Sequence, residues 1–123
     1  PDAFPAYRDC FYRLHSAPWD KDVEIHSRFI LHKIEDDLLE HSFDQEFDVI
    51  YYDAFNPAVQ PEMWEEEILA KGVNQLSAGG VLTTYSAKGV IRRRLTKLGL
   101  EVNKLPGPPG KREMTQAIKK AIL

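Results

Sequence analysis

The chain has 123 residues, of which 43% are hydrophobic and 28% are charged, and its formal net charge is −3. This composition is typical of one small globular domain and excludes a disordered chain. No apolar run approaches the roughly 20 residues of a membrane-spanning helix. There is no signal-peptide pattern. The chain begins at Pro1 rather than at a methionine, so a targeting segment could have stood ahead of Pro1. Cys10 is the only cysteine, which excludes an internal disulfide framework and makes a reducing, cytoplasmic setting the expected one.

The two signs of charge are unevenly distributed. Residues 1–87 hold 6 Lys and Arg against 17 Asp and Glu, whereas residues 88–123 hold 10 against 2. The basic C-terminal third is a candidate contact surface for a polyanion. A set of solvated helix faces explains the same pattern, because blocks of charge have low specificity.

The first half of the chain contains one strong strand signal. Residues 4–14 predict an aromatic-rich helix, residues 28–34 alternate as a strand does, and residues 37–41 predict a short helix. Residues 47–52 are the clearest strand. Their continuous apolar run is typical of a parallel sheet that is covered on both faces.

The second half alternates helices and strands. Pro61 suits the first turn of a helix, whose apolar stripe continues at helical spacing to Leu76, and Gly79 with Gly80 is predicted to end it. The remaining predicted elements are a strand at 81–85, a helix at 90–98, a strand at 100–105 and a final strand from about Met114.

This order predicts an α/β fold with a mainly parallel sheet and an antiparallel C-terminal edge. Ligands of such sheets bind beyond the carboxyl ends of the strands, where Asp53 and Ser86 are both expected. Asp53 has two interpretations. It can cap a turn through its own backbone, or it can accept a hydrogen bond from an amine in a pocket shaped by Phe55 and Pro57.

No sequence motif supports a serine hydrolase, a nucleotide-binding loop or a metal site. Ser86 has no G-x-S-x-G context, and the glycines form neither a G-x-G-x-x-G fingerprint nor a phosphate-binding P-loop. No metal site is expected, because metalloenzyme spacing is absent from the four histidines, His15, His26, His32 and His41.

The loop that begins at residues 106–110 (PGPPG) is rich in proline and glycine. It is either a rigid connector or a stiff loop that holds Lys111 and Arg112 for a phosphate or for the edge of an active site. The consecutive arginines at 92–94 cannot all share one helix face, so some of them are expected to serve solubility only.

Three segments carry a resemblance to a known family. They are residues 47–64 (FDVIYYDAFNPAVQPEMW), 79–93 (GGVLTTYSAKGVIRR) and 105–114 (LPGPPGKREM). The chain from about His15 onward resembles the tRNA 5-methylaminomethyl-2-thiouridine methyltransferases. The resemblance implies a class I, Rossmann-like methyltransferase fold with S-adenosylmethionine as cofactor. It also implies methyl transfer to the aminomethyl nitrogen of 5-aminomethyl-2-thiouridine at the tRNA wobble position.

The resemblance also implies roles for individual residues. Asp37 meets the adenine of the cofactor, with Asp36 as the alternative in register. Asp53 holds the aminomethyl group and takes its proton. The loop beside the reactive methyl group consists of Asp53, Ala54, Phe55 and Pro57. Its cofactor contacts are Asp53, Ala54 and Phe55, and its substrate contacts are Phe55 and Pro57. The contacts to tRNA phosphates come from Lys88, Arg92, Arg93, Lys111 and Arg112.

Members of this family carry a glycine-rich loop and an acidic ribose-binding strand ahead of the matching segments. Neither is found here, so residues 1–123 are expected to be the C-terminal part of a single methyltransferase domain whose first two strands are absent. The chain alone is therefore expected to be inactive and to bind S-adenosylmethionine weakly or not at all. Micromolar binding in calorimetry would contradict this expectation.

Two other functions stay open on the sequence. One is a non-catalytic RNA-binding or interaction module that keeps the basic C-terminal third. The other is a class I methyltransferase that acts on a small-molecule amine. The resemblance implies tRNA as a partner and fusion to, or cooperation with, an FAD-dependent oxidoreductase domain. Neither a membrane nor a metal is expected.

Overall fold

A computed structural model describes residues 5–107, 109–110 and 113–120 of the chain. The chain divides into two compact units, Pro1–Asp37 and Leu38–Leu123.

The first unit contains a helix followed by a β-hairpin. Helix α1 spans Arg8–Ser16, so it begins later than the helix predicted at residues 4–14 and extends beyond its predicted end. Strand β1 (Asp22–His26) pairs antiparallel with strand β2 (Phe29–His32) across a two-residue turn. The strand predicted at 28–34 is thus present in a shorter form, whereas β1 was not predicted from the sequence. Because β1 supplies its partner, β2 forms a separate two-stranded sheet.

The short helix predicted at 37–41 does not form. Residues 38–40 make a turn instead. The ammonium group of Lys71 donates hydrogen bonds to the carbonyls of Leu38 at 3.0 Å, Leu39 at 2.6 Å and His41 at 3.2 Å. These carbonyls are satisfied by a side chain rather than by helical backbone bonds.

The second unit alternates strands and helices. It consists of β3 (Phe47–Tyr52), a 3₁₀ turn (Pro61–Trp64), α2 (Glu66–Asn74), β4 (Leu76–Thr84), α3 (Gly89–Lys97), β5 (Leu100–Leu105) and β6 (Met114–Lys119). The predicted elements at 47–52, 90–98, 100–105 and from Met114 are confirmed.

The helix predicted from Pro61 to Leu76 is wrong at both ends. Glu65 is extended, with φ −62° and ψ 150°, and separates the 3₁₀ turn from α2. Leu76 begins β4, which continues through Gly79 and Gly80. A Cβ atom on Gly80 would lie 2.8 Å from the Ser77 carbonyl oxygen, so this glycine permits a close backbone approach where β3 and β4 slip in register.

The four-stranded sheet has the order β3-β4-β6-β5. The α/β class is confirmed, but the prediction of a mainly parallel sheet is wrong for the part of the chain described. Only β3 and β4 are parallel, whereas β6 runs antiparallel to both β4 and β5. The crossover through α2 makes the first pair parallel, and the direct β5–β6 connection reverses the chain.

One hydrophobic core joins the sheet to α2 and α3. Its buried members are Tyr52, Trp64, Leu69, Val73, Leu76, Leu82, Ile91, Leu95, Leu100 and Ala117. In β3, Tyr52 is buried, but Val49 and Tyr51 are 51% and 81% exposed. The sequence predicted that both faces of this strand are covered, whereas the described residues cover only one.

Candidate active site

The carboxyl ends of β3 and β4 form the candidate active site. The two parallel strands pair at their ends, where Tyr52 lies opposite Thr84. Asp53 and Tyr85 therefore leave neighbouring strands at the same level, and Ser86 follows one residue later. Asp53 and Ser86 thus lie at the edge of the sheet where ligands of α/β proteins bind.

Two aromatic side chains hold the segment that follows Asp53. The Tyr85 hydroxyl donates a hydrogen bond to the Ala54 carbonyl at 2.7 Å. The indole N–H of Trp64 donates one to the Phe55 carbonyl at 2.6 Å. Two consecutive peptide groups next to the carboxylate are therefore restrained by side chains from other parts of the fold.

A turn closes this segment on itself. The side-chain oxygen of Asn56 accepts a hydrogen bond from the Ala58 backbone N–H at 2.8 Å. The Asn56 carbonyl accepts further bonds from the N–H groups of Val59 at 2.8 Å and Gln60 at 2.9 Å. Asparagine is well suited to such turns, because its short amide can mimic a backbone group. Pro57 lies within the turn and is half-buried.

The segment presents an anionic and an aromatic side chain to solvent. Asp53 is exposed, Phe55 is 74% exposed, and Ala54 packs partly against the core. Burial and, to a smaller extent, the nearby carboxylate of Asp53 raise the pKa of Tyr85 above its ordinary value. The phenol is therefore kept in its protonated form, in which it can donate to the Ala54 carbonyl.

Trp64 connects this segment to the core. It is 1% exposed and packs edge to face on Tyr52 and on Tyr85, with ring centroids 5.0 Å and 5.9 Å away. Its carbonyl accepts a hydrogen bond from Arg94 at 2.6 Å. Tyr85, Trp64 and Arg94 were not predicted to belong to the site. Only the position of Tyr85 at a predicted strand end could have indicated one of them.

Tyr52 gives the fold a specific dependence on alkaline pH. Its hydroxyl donates to the Met63 carbonyl, and burial raises the pKa of Tyr52 from 10.0 to about 12. The stabilisation by the neutral phenol is complete below pH 10 and is lost as the pH rises towards 12. We expect the free energy of unfolding to fall by about 2 to 3 kcal/mol over this range.

Denaturant unfolding of the wild type and of Tyr52→Phe checks this expectation. The difference in free energy of unfolding between the two proteins should shrink as the pH passes from 10 to 12, because the variant lacks the titrating group. A difference that stays constant over that range would contradict the assignment.

Arg92 is held inside the second unit. Its Nε donates to the Thr115 hydroxyl at 2.9 Å, and one terminal nitrogen donates to the Met114 carbonyl at 3.2 Å. The Thr115 hydroxyl in turn donates to the Ser86 carbonyl at 2.6 Å. Ser86 is buried, and its carbonyl is the last acceptor of this network. A phosphate contact by Arg92 stays a prediction.

The other basic residues assigned to tRNA differ in their placement. Lys88 directly precedes α3 and is exposed, as is Arg93 within α3. Arg94 is half-buried because it bonds to the Trp64 carbonyl, so only the middle one of the three consecutive arginines is exposed. Lys111 and Arg112 lie outside the described residues.

The predicted adenine contacts belong to the first unit. Asp36 and Asp37 follow β2 and are both exposed, and the Asp37 backbone N–H donates to a carboxylate oxygen of Asp36 at 2.8 Å. Their contact with the cofactor stays a prediction.

Two further observations concern ions and membranes. Within residues 5–107, 109–110 and 113–120, no group of three or more His, Cys, Asp or Glu side chains could hold a metal ion. None of the helices in the described part of the chain has the length and apolar character that a bilayer crossing requires.

Known proteins resemble this chain over most of its length. A model of the S-adenosyl-L-methionine-dependent methyltransferase family matches residues 12–120. A tRNA 5-methylaminomethyl-2-thiouridine biosynthesis bifunctional protein of Cupriavidus metallidurans is 44% identical over 71 residues, or 57% of this chain. The corresponding protein of Caulobacter vibrioides is 28% identical over 116 residues, or 94% of this chain. The chain spans only 10% and 19% of the length of these relatives.

Two solved structures share the fold of this chain. The crystal structure of MnmC2 from Aquifex aeolicus superposes with a TM-score of 0.72 and 25% identity, covering 92% of this chain and 37% of the other. A methyltransferase from Pyrococcus furiosus shares the fold with a TM-score of 0.52 at 24% identity, over 65% of this chain and 44% of its own. Because the family model covers nearly the whole chain, this protein belongs to the S-adenosyl-L-methionine-dependent methyltransferase family.

Proposed function

We propose that this chain belongs to an enzyme that methylates the aminomethyl nitrogen of 5-aminomethyl-2-thiouridine at the tRNA wobble position. The relatives from Cupriavidus and Caulobacter act in the biosynthesis of the corresponding methylated nucleoside, as their names state. The observation that carries the proposal is the exposed carboxylate of Asp53. It stands on a restrained segment at the ligand-binding edge of the sheet, where an amine substrate can reach it.

The cofactor of the family suits the groups that this edge presents. S-adenosylmethionine supplies an electrophilic methyl group on a positively charged sulfonium. Asp53 and Phe55 are both exposed here, and carboxylates and aromatic faces attract cations. We therefore expect Asp53, Ala54 and Phe55 to line the methyl end of the cofactor. A contact of Asp36 or Asp37 with the adenine rests on the resemblance alone and stays a prediction.

Asp53 has two tasks in the proposed reaction. An amine attacks only in its neutral form, because an ammonium ion has no free electron pair. As a hydrogen-bond acceptor, the Asp53 carboxylate orients the aminomethyl nitrogen and takes the proton that leaves it, directly or through a water molecule. The restrained backbone of the following residues keeps the acceptor in place, so that positioning contributes to the rate.

We propose that Lys88, directly before α3, and Arg93, within α3, contact tRNA. Replacing both Lys88 and Arg93 by alanine should weaken tRNA binding and lower the salt dependence of the binding constant by about one unit of log–log slope per lost phosphate contact. Filter binding at several salt concentrations measures this slope. Arg92, Lys111 and Arg112 are further proposed contacts.

Lys97→Ala is a matched control for the binding experiment. Lys97 lies in α3 and pairs with Glu66 at 3.2 Å, so its loss removes one positive charge, half of the change in the double variant, without removing a proposed contact. We expect its slope to stay at the wild-type value. If the double variant also keeps the wild-type slope, α3 does not bind the tRNA backbone.

Label transfer tests the proposed function. The full-length gene product is incubated with S-adenosylmethionine that carries a tritiated methyl group and with tRNA whose wobble uridine bears a free aminomethyl group. We expect label in this tRNA and none in tRNA without that group. Label only in small-molecule amines would favour the small-molecule methyltransferase, whereas tRNA binding without transfer would favour a non-catalytic module.

A further inference from the structure

The residues that fix the candidate site come from two other elements of the second unit. Tyr85, which follows β4, reaches the Ala54 carbonyl across 31 positions of the chain. Trp64, at the end of the 3₁₀ turn, reaches the next carbonyl, that of Phe55. The two aromatic rings also contact each other edge to face, with an interplanar angle of 87°, so they form one brace over consecutive peptide groups.

The brace holds a segment whose side chains are largely exposed and therefore make few packing contacts. Asp53 is exposed, and so is the side chain of Phe55. Hydrogen bonds to the backbone are therefore the main restraint on the peptide groups beside the carboxylate. A displacement of about 1 Å at a reacting group can cost on the order of a hundredfold in rate, so the restraint bears directly on the reaction.

We propose that Tyr85 is a positioning residue for Asp53: its hydroxyl holds the Ala54 carbonyl and so aims the carboxylate at the substrate amine. The proposal rests on the function proposed above. It extends that function to a residue that need not touch substrate or cofactor.

The direction of the hydrogen bond matters as much as its presence. The phenol has one proton, and it donates that proton to the Ala54 carbonyl. Asp53 therefore does not receive it and keeps its acceptor positions for an amine. A phenol is protonated throughout the physiological range, and burial and Asp53, which raise the pKa of Tyr85, favour this donor form further.

Tyr85 can be tested more cleanly than Trp64. Trp64 is 1% exposed and belongs to the core, whereas Tyr85 is 39% exposed. Tyr85→Phe removes only the hydroxyl and keeps the ring that packs on Trp64. The variant is therefore expected to fold, with a melting temperature lowered by no more than a few degrees, because it loses a single hydrogen bond.

Steady-state kinetics of Tyr85→Phe in the full-length gene product is the first part of the experiment. We expect kcat for methyl transfer to fall about three- to tenfold, as the loss of one neutral hydrogen bond predicts. The KM values for tRNA and cofactor should stay within about twofold, since a positioning residue leaves binding intact. Tyr12→Phe, at a tyrosine that is 57% exposed on α1, is the matched control and should keep the wild-type kcat.

Hydrogen exchange is the second part and needs no substrate. The N–H groups of Ala58, Val59 and Gln60 are bonded within the Asn56 turn. We expect Tyr85→Phe to raise deuterium uptake in a peptide covering residues 54–60 and to leave uptake in α2 and β4 unchanged. Uptake that rises throughout the unit would show a general structural role and overturn the proposal.

The two readouts separate this proposal from the proposed function. If the wild type methylates tRNA but Tyr85→Phe keeps its kcat, or changes only KM, the positioning role is wrong. If the wild type transfers no label to tRNA, the proposed function fails. In that case a local rise in exchange would still support the restraint by Tyr85, and unchanged exchange would overturn it.

Discussion

Replacing Asp53 by asparagine should lower kcat of methyl transfer to tRNA by about 10²- to 10⁴-fold, the usual contribution of a positioned acid–base group. Asparagine is nearly isosteric with aspartate but cannot take the proton of the amine. Its amide also presents donors where the substrate needs an acceptor. Single-turnover label transfer measures the effect, and filter binding should show tRNA affinity within about twofold, because the backbone phosphates contribute most of that affinity.

Asp48→Asn is the control for this experiment. Asp48 lies in the same strand and accepts a hydrogen bond from the Ser77 hydroxyl at 2.7 Å, a bond that an asparagine oxygen can also accept. The change in charge is the same, but it lies five positions before the candidate site. We expect wild-type turnover from this variant. Full turnover by Asp53→Asn would show that Asp53 has no part in the chemistry.

Replacing Trp64 by alanine should have the largest effect on stability. Loss of a buried tryptophan typically costs about 3 to 5 kcal/mol through lost burial and the cavity left behind. Here it also frees the Phe55 carbonyl and removes the ring contacts to Tyr52 and Tyr85. The free energy of unfolding from a urea titration measures this loss. A loss below about 1 kcal/mol would contradict the central place of Trp64 in the core.

The second tryptophan of the chain supplies the comparison. Trp19 is 52% exposed, and its ring lies 5.3 Å from the ammonium group of Lys33. An exposed cation–π contact contributes about 0.5 to 1 kcal/mol. Trp19→Ala should therefore destabilise the protein far less than Trp64→Ala, and equal losses would show that burial does not explain the effect.

The sequence predicted those elements that periodicity determines. The strand at Phe47–Tyr52 and the strand at Leu100–Leu105 were predicted to the residue, because continuous or alternating apolar runs ended at clear breaks. Leu76 was placed in a helix because its spacing fits one. Only the partner strand, in which Phe47 pairs with Leu76, decides that it belongs to β4.

The sequence predicted the position of the candidate site but not what holds it together. Strand order alone located Asp53 at the carboxyl edge of the sheet. The hydrogen bond of Tyr85 to Ala54 and that of Arg94 to Trp64 span 31 and 30 positions, and no local pattern indicates such pairs. For the same reason Arg92 looked like a surface cation, whereas Thr115 on β6 engages it.

The identity of the methylated nucleoside tests the central claim most directly. tRNA with a free aminomethyl group at the wobble uridine is incubated with S-adenosylmethionine and the full-length gene product, then digested, and its nucleosides are separated and identified by mass spectrometry. The proposed function predicts that 5-aminomethyl-2-thiouridine disappears and that its N-methylated form replaces it in equal amount. A wobble nucleoside that stays unchanged, or a methyl group found at any other position of the tRNA, would contradict it.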